Sequence, residues 1–376
     1  MNKKQLKKQI KASLKEQGFV INKNRIELPS DIVKNKIREL HETSVRHKRE
    51  NASNNLKKGE KRLIQYIARG SEIDPERIRP SLITVTPGSI EELLFRYASL
   101  HWSIPVSSGY GRRLRFLVMD SHHEKLIGLI GLGDPVYSLK ARDDWVGWNS
   151  EQKKERLSHV MDAFVLGAVP PYSYLLCGKL VAMLAASNEV REAFMEKYGN
   201  KETLIQKKVH DGSLAMITTT SALGRSSLYN RLKYQDRLLY HKVGFTKGFG
   251  EFHFLNGLYD EIYKYVSRNF EPTSKHASWG NGFRNRREII GKCLKALGLT
   301  SDWLKHGIQR EIYVIPLAEN TRNFLQGYDN ILIEYNQSVD DLFEYFRERW
   351  LLPRAARNNN YLNFDPQSYL LWEQGG

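Results

Sequence analysis

From Val160 to Val169 the chain reads VMDAFVLGAV, an apolar run rich enough in β-branched residues for a buried strand. Pro170-Pro171 must end it, because proline donates no ladder hydrogen bond. Beyond that turn Leu176, Leu180, Met183 and Leu184 recur at intervals of three and four, which predicts a helix from Tyr174 to about Ser187. A strand-turn-helix unit of this kind points free helix N–H groups beyond the strand, where a phosphate is favoured; a plain core crossover has the same pattern. The alternation in RLRFLVMD-SHHE-KLIGLIGL predicts a hairpin over Arg113 to Leu132. Further strands are expected at Leu82 to Thr86, Ser213 to Thr220, Gly248 to Phe254 and Glu311 to Ile315. Further helices are expected from Ile90, capped by Ser89, from Asn188 to Tyr198, and over Glu288 to Leu297, Leu317 to Leu325 and Val339 to Trp350.

The N-terminal pattern is different. Met1 to Gln17 carries six lysines, with Leu6, Ile10 and Leu14 at spacing four, so a short basic helix is predicted. A second helix is expected after Pro29 with Ser30 as its N-cap and Ile32, Ile37 and Leu40 as a narrow stripe, and a third over Lys58 to Ala68. The fold class that follows is α+β: a mixed twisted sheet with flanking helices. Its expected parts are a basic helical arm over 1–73, a core over 74–270 and a mainly helical extension over 271–376.

Charge sharpens this picture. The chain has 58 Lys and Arg against 42 Asp and Glu, a net of +16. Residues 1–69 hold 19 of the basic and 7 of the acidic residues, so 12 of the 16 excess charges lie there. Lys34, Lys36, Arg38, Arg46, Lys48, Arg49, Lys57, Lys58, Lys61 and Arg62 form a candidate phosphate-tracking surface for nucleic acid, DNA first. A solvated charged face accounts for the same residues. The stripe lacks the aromatics of a membrane-surface helix, and no run of about 18 apolar residues is present. With Cys177 and Cys293 alone, neither a disulfide framework nor a cysteine-based zinc site is expected. His122-His123 reads as an exposed hairpin tip, and no metal set is expected. The absence of a signal-peptide pattern points to a cytoplasmic protein.

The segment Thr218 to Ser227 is rich in hydroxyls, and Arg225, Arg231, Arg284, Arg286 and Arg287 add basic residues that could surround phosphates. A nucleic-acid-processing activity is the weakest expectation. Asp143, Asp144 and Asp162 form a two-metal carboxylate set only if folding gathers them.

Between Leu114 and Gly327 the stretches RLRFLVMD, DDWVGW, VPPYSYLLCGKLVAML, ITTTSALGRSSLYNRL, RNRREIIGKCLKALG and REIYVIPLAEN resemble the DruA family of Druantia anti-phage systems. The resemblance implies a bacterial defence role beside other gene products, including a large helicase. More coarsely, the hairpin, the strand-turn-helix unit and YHKVGF at Tyr240 to Phe245 resemble the GNAT N-acetyltransferase fold, whose pattern there is Y-x-K-x-G-F. That likeness implies a coenzyme A thioester at Tyr172, Ser173, Gly178 and Lys179. It also implies Tyr240 or Tyr229 as the acid that protonates the departing thiolate, and Glu251 as anchor of a water relay to the acceptor amine. The turn departs from the acetyltransferase pattern. Leu175 and Cys177 stand where small residues would let a pyrophosphate approach the backbone. Two functions are therefore expected in order: a nucleic-acid-binding defence component acting with partner proteins, and an acyl-CoA-dependent N-acyltransferase.

Overall fold

The computed structural model describes residues 2–29, 33–107, 111–202, 207, 209–273, 279 and 283–372, without the side chains of 283 and 284. Ser30, the expected N-cap, and the side chain of Arg284 lie outside that set. The helices that matter below are α1 (Lys3–Glu16), α2 (Lys34–Leu56), α3 (Ile90–Ser99), α4 (Lys140–Val146), α5 (Cys177–Leu184), α6 (Asn188–Tyr198), α7 (Gly257–Asn269), α8 (Phe283–Ala296) and α9 (Val339–Phe346). Seven strands form the central sheet: β1 (Pro80–Thr84), β2 (Arg113–Asp120), β3 (Lys125–Gly133), β4 (Val160–Ala168), β5 (Met216–Thr220), β6 (His241–Phe245) and β7 (Glu311–Pro316).

Their spatial order is β6-β7-β5-β4-β3-β2-β1. Every neighbouring pair is antiparallel except β4 and β5. The architecture is thus α+β with one mixed sheet and flanking helices, the class expected from the pattern. The closing strand differs. Residues 252–254 form a 3-10 turn instead, with His253 and Phe254 both buried, which is incompatible with a strand that alternates faces. The sheet is completed by β6 at its edge and by β7, which returns from far along the chain to lie between β5 and β6.

Alternation on the strands, reset on β3 by a bulge opposite Val118 and Met119, explains the layers. On one face Leu114, Phe116, Val118, Ile127 and Ile130 pack with α5, α6 and α9. On the other, Leu117, Met119, Leu126 and Leu129 pack with α3 and the 56–67 segment, while Val160, Met216 and Val314 meet Val146 of α4.

The basic N-terminal segment carries two helices and a short hairpin of Val20–Asn22 with Arg25–Glu27. The helix expected over 58–68 is broken into a four-residue helix, Glu60–Leu63, between 3-10 turns, and the whole segment is packed onto the body. Leu6, Ile10 and Leu14 of α1 are fully buried in one cluster with Leu258 and Ile262 of α7, Ile289 and Cys293 of α8, and Trp303. Lys7 Nζ donates to the Leu297 carbonyl at 2.9 Å, and Gln17 Nε2 to that of His253 at 3.0 Å. Along α2, Ser44 Oγ donates to Phe252 O at 2.8 Å, Arg49 Nε to Leu100 O at 3.0 Å, and Lys48 Nζ to Val106 O. Helix α2 is therefore a strap from this cluster of α1, α7 and α8, the helical lobe, to the α3 layer.

Candidate functional site

The one parallel contact in the sheet is short. Its register runs from Val160 opposite Met216 to Ala163 opposite Thr219, after which β4 continues to Ala168 paired with β3 alone. At the last matched positions Thr218 Oγ1 donates to Asp162 Oδ1 at 2.6 Å and Thr219 Oγ1 to Ala163 O at 2.9 Å. The threonines of this hydroxyl-rich stretch thus close the strand pair. Burial pushes the Asp162 carboxyl up to about 6, against the opposing pull of the Thr218 hydroxyl and the Arg142 guanidinium. The three candidate aspartates have separate partners. Asp143 is held by Arg142 and Lys153, and Asp144 by Lys140 on the surface.

Past β4 the chain passes through a cis Pro170-Pro171 bond, a 3-10 turn over Tyr172–Leu175, and Leu176 in the left-handed region with φ 63°, so α5 begins at Cys177 rather than Tyr174. Each residue expected to hold a cofactor here is engaged by the protein. Tyr172 Oη donates to Asp120 Oδ2 at 2.8 Å; the buried Asp120 also accepts from His123 Nδ1 at 2.6 Å and from the Arg79 and His122 N–H groups. The Ser173 N–H donates to Val169 O at 2.9 Å. The Lys179 ammonium lies 5.3 Å from the ring centroid of Trp350. A Cβ on Gly178 would come within 3.3 Å of Leu228, whose side chain covers the first turn of α5.

Leu228 belongs to the loop 221–232, which is fastened at its root by Glu311. The Glu311 carboxylate is buried and accepts from Lys242 Nζ at 2.8 Å, the Ser226 N–H at 2.8 Å, Asn230 Nδ2 at 3.3 Å and the Tyr313 hydroxyl. Burial alone would raise this carboxyl, but the bonds from Lys242, Tyr313 and Ser226 outweigh it and hold it at about 2. Beside the Tyr313 ring, whose edge contact with Tyr229 has centroids 5.2 Å apart, the rings of Tyr229 and Tyr240 stack 4.7 Å apart. Tyr240 is 1% exposed and donates its hydroxyl to Ala182 O at 2.7 Å. Burial raises both phenols, Tyr229 to about 12 and Tyr240 well above its ordinary value. Glu251 has other surroundings. It lies in the helical lobe with Oε2 3.8 Å from Arg287, and burial raises its carboxyl against the pull of Arg287 and Arg286. The structure therefore brings Tyr229 and Tyr240 together, and gives Glu251 a separate set of neighbours.

The basic residues divide into two groups. Lys48 and Arg49 are half-buried and bound to carbonyls, and Lys36 pairs with Glu39 at 2.7 Å. Lys34, Arg38, Arg46, Lys57, Lys58, Lys61 and Arg62 are exposed, and among the described residues none of them is in an ion pair. Arg225 and Arg231 are also exposed, on the 221–232 loop. Arg286 and Arg287 are half-buried, with Arg287 5.0 Å from the ring centroid of Phe249. Sequence spacing could not separate the tethered cations from the open ones, because what tethers Lys48 is the carbonyl of Val106, 58 residues away.

A model of the DruA family, described as Druantia protein DruA, matches residues 31–327. The chain is 40% identical over 359 residues to Druantia protein DruA of Escherichia coli (strain UMEA 4076-1), covering 95% of this chain and 88% of that protein. No solved structure matches the chain. Among the described residues no helix is long and apolar enough to cross a membrane.

Proposed function

Because the chain belongs to the DruA family, we propose that it serves in a Druantia-type anti-phage defence system as the component that binds nucleic acid, DNA first, and acts there with partner proteins that include a helicase. The observation that carries this reading is the set of seven exposed cations, from Lys34 to Arg62, that form no ion pair among the described residues, on a segment bonded to the body at several points. Cations held on a rigid strap lose less conformational freedom on meeting phosphates than those on a loose tail. Arg225 and Arg231 extend the charge onto the 221–232 loop. No base-reading element is assigned, so the expected binding tracks the backbone with little regard to sequence.

The test is fluorescence anisotropy of labelled single- and double-stranded DNA across a salt series, with the full chain and with Lys57→Gln, Lys58→Gln, Lys61→Gln and Arg62→Gln combined. Each phosphate left without its cation should reduce the slope of log affinity against log salt by about 0.9 on duplex. Equal affinity and equal slope for both proteins would sink the reading.

Strand β4, paired in parallel with β5 and followed in the chain by α5, favours a second reading, a GNAT-like scaffold with acyl-CoA-dependent N-acyltransferase activity. Coenzyme A at this turn requires Leu228 to leave Gly178 and Tyr172 to leave Asp120. Titration with acetyl-CoA decides it. The absence of binding at millimolar concentration would eliminate the acyltransferase.

A further inference from the structure

The parallel register that parts after Ala163 also has an entry end, where Val160 lies opposite Met216 and the Ala215 N–H donates to His159 O at 2.9 Å. There His159, immediately before β4, meets His210 and Asp211, just before β5. His159 Nδ1 is 3.5 Å and His210 Nδ1 3.7 Å from Asp211 Oδ1, and the three donor atoms lie within 4.8 Å of one another. In a tetrahedral site with metal-ligand bonds of about 2.0–2.1 Å, neighbouring donor atoms are about 3.3 Å apart. The two His–Asp separations exceed this by a few tenths of an ångström, and the remaining one, within 4.8 Å, exceeds it by at most about 1.5 Å.

We propose that His159, His210 and Asp211 form a binding site for one divalent transition-metal ion of the zinc class, with its remaining coordination position open to solvent. Two imidazoles and one carboxylate favour such an ion over calcium or magnesium, which prefer all-oxygen sets. The two histidines are about 95% buried, which holds their rings in place, whereas the Asp211 side chain is half exposed. Asp211 and Ser213 line a groove of about 700 Å³ bounded by Asn188, Arg191, Asn330 and Glu334, which supplies the path for the ion and room for a fourth ligand.

The surroundings of the rings fit the role in detail. His210 Nε2 donates to Ser158 O at 3.1 Å, the second-sphere bond that metal-bound histidines commonly make, and this leaves Nδ1 as the lone-pair nitrogen. That lone pair now accepts the Gly212 N–H at 2.9 Å, and His159 Nδ1 donates to Ser213 O at 3.0 Å. On binding, the His159 proton moves from Nδ1 to Nε2, so both rings stay neutral and no net proton is released. The Ser213 carbonyl loses its donor, and it and the Gly212 N–H turn to water in the groove that both residues line. The charge of the nearby Arg112 is met by Asp134 at 2.6 Å.

The test uses the metal-stripped full chain, with zinc titration by calorimetry and the visible d–d absorption of added cobalt. One ion per chain is expected, with a cobalt band of four-coordinate intensity. Asp211→Asn should weaken zinc binding by at least about 10-fold, since even outer-sphere partners change affinity by 10–100-fold. Because Asp211 is half exposed, the melting temperature of the metal-free variant should match that of the parent. His122→Ala, at the exposed hairpin tip, should change nothing. Failure to bind zinc below millimolar concentration overturns the proposal. So does zinc binding that survives Asp211→Asn and is lost in His122→Ala.

Discussion

The ring of Tyr229 lies on that of Tyr240 with centroids 4.7 Å apart and planes 2° apart, while Tyr240 donates its hydroxyl to the Ala182 carbonyl of α5. The pair thus joins the 221–232 loop to the layer beneath it. A phenol whose proton is bound to a buried carbonyl is held as the neutral form. Tyr240→Phe should cost about 1–3 kcal/mol of stability, because it leaves a buried carbonyl without a donor. Alkaline difference absorbance should show no ionisation from either ring near pH 10, with Tyr229 following at about 12. Denaturant unfolding and the absorbance titration check the two statements separately.

A chain beginning at Gly70 should not fold as a binding-deficient but intact protein. Removing 1–69 takes Leu6, Ile10, Leu14 and Leu40 out of one apolar cluster and Leu56, Leu63 and Ile67 out of another. Exposed clusters of that size drive aggregation. Loss of the far-ultraviolet and near-ultraviolet dichroism of the parent, or aggregation on a sizing column, is the expected result. A soluble, cooperatively melting truncation would show that the N-terminal helices are dispensable to the core.

Within the basic set, Lys48→Gln and Lys61→Gln should separate structure from binding. Lys48 is tied to Val106 O, and burial lowers its ammonium to about 8. Its loss should lower the melting temperature and leave the salt slope of DNA binding unchanged. Lys61 is exposed, so its loss should do the reverse, with a slope change of about 0.9.

Glu311 sets an acid limit on the loop. Its carboxyl is depressed to about 2 in the folded protein, below the ordinary value of about 4.3 for an unfolded chain. A depressed carboxyl stabilises the fold above its unfolded value and loses that contribution as pH falls from about 4.3 toward 2. Glu311→Gln should abolish this part of the acid response and loosen the loop at neutral pH. Faster tryptic cleavage after Arg225 and Arg231 is the readout.

A second acid-sensitive seam lies under α2. His41 stacks on Phe252 with centroids 4.0 Å apart, and its Nε2 accepts from Arg310 at 3.1 Å. Burial, with some repulsion from neighbouring positive groups, lowers His41 and His253 to about 4 and His306 to about 3. Each depressed histidine favours the fold above about 6.5 and withdraws that support as pH falls toward 4, by up to about 1.4 kcal/mol per pH unit. Combined His41→Gln and His306→Gln should flatten the pH dependence of the denaturation midpoint over that window.

The legible parts of this protein are local. The strand at Val160, the hairpin from Arg113 and the helix at Asn188 appear where alternation and spacing place them, because each signal resides within one element. The strand expected at 248–254 failed because alternating aromatics there pack a turn, where both His253 and Phe254 are buried among side chains of the helical lobe. The turn at Tyr172 carried a phosphate-like pattern, yet its hydroxyl, ammonium and glycine are met by Asp120, Trp350 and Leu228, all remote in sequence. His159, His210 and Asp211 gave no motif at all, since about fifty residues separate the first from the others and only strand pairing makes them neighbours.

Composition, periodicity and the positions of proline and glycine are properties of the chain itself, and they determined the α+β class, the existence of the main strands and helices and the basic excess of the first 69 residues. The tertiary structure alone decided that those helices are packed on the body, that Glu311 returns to pin the 221–232 loop, and which cations are left facing water. The physical reason is that burial and charge pairing depend on distances between residues far apart along the chain, which a local pattern does not encode.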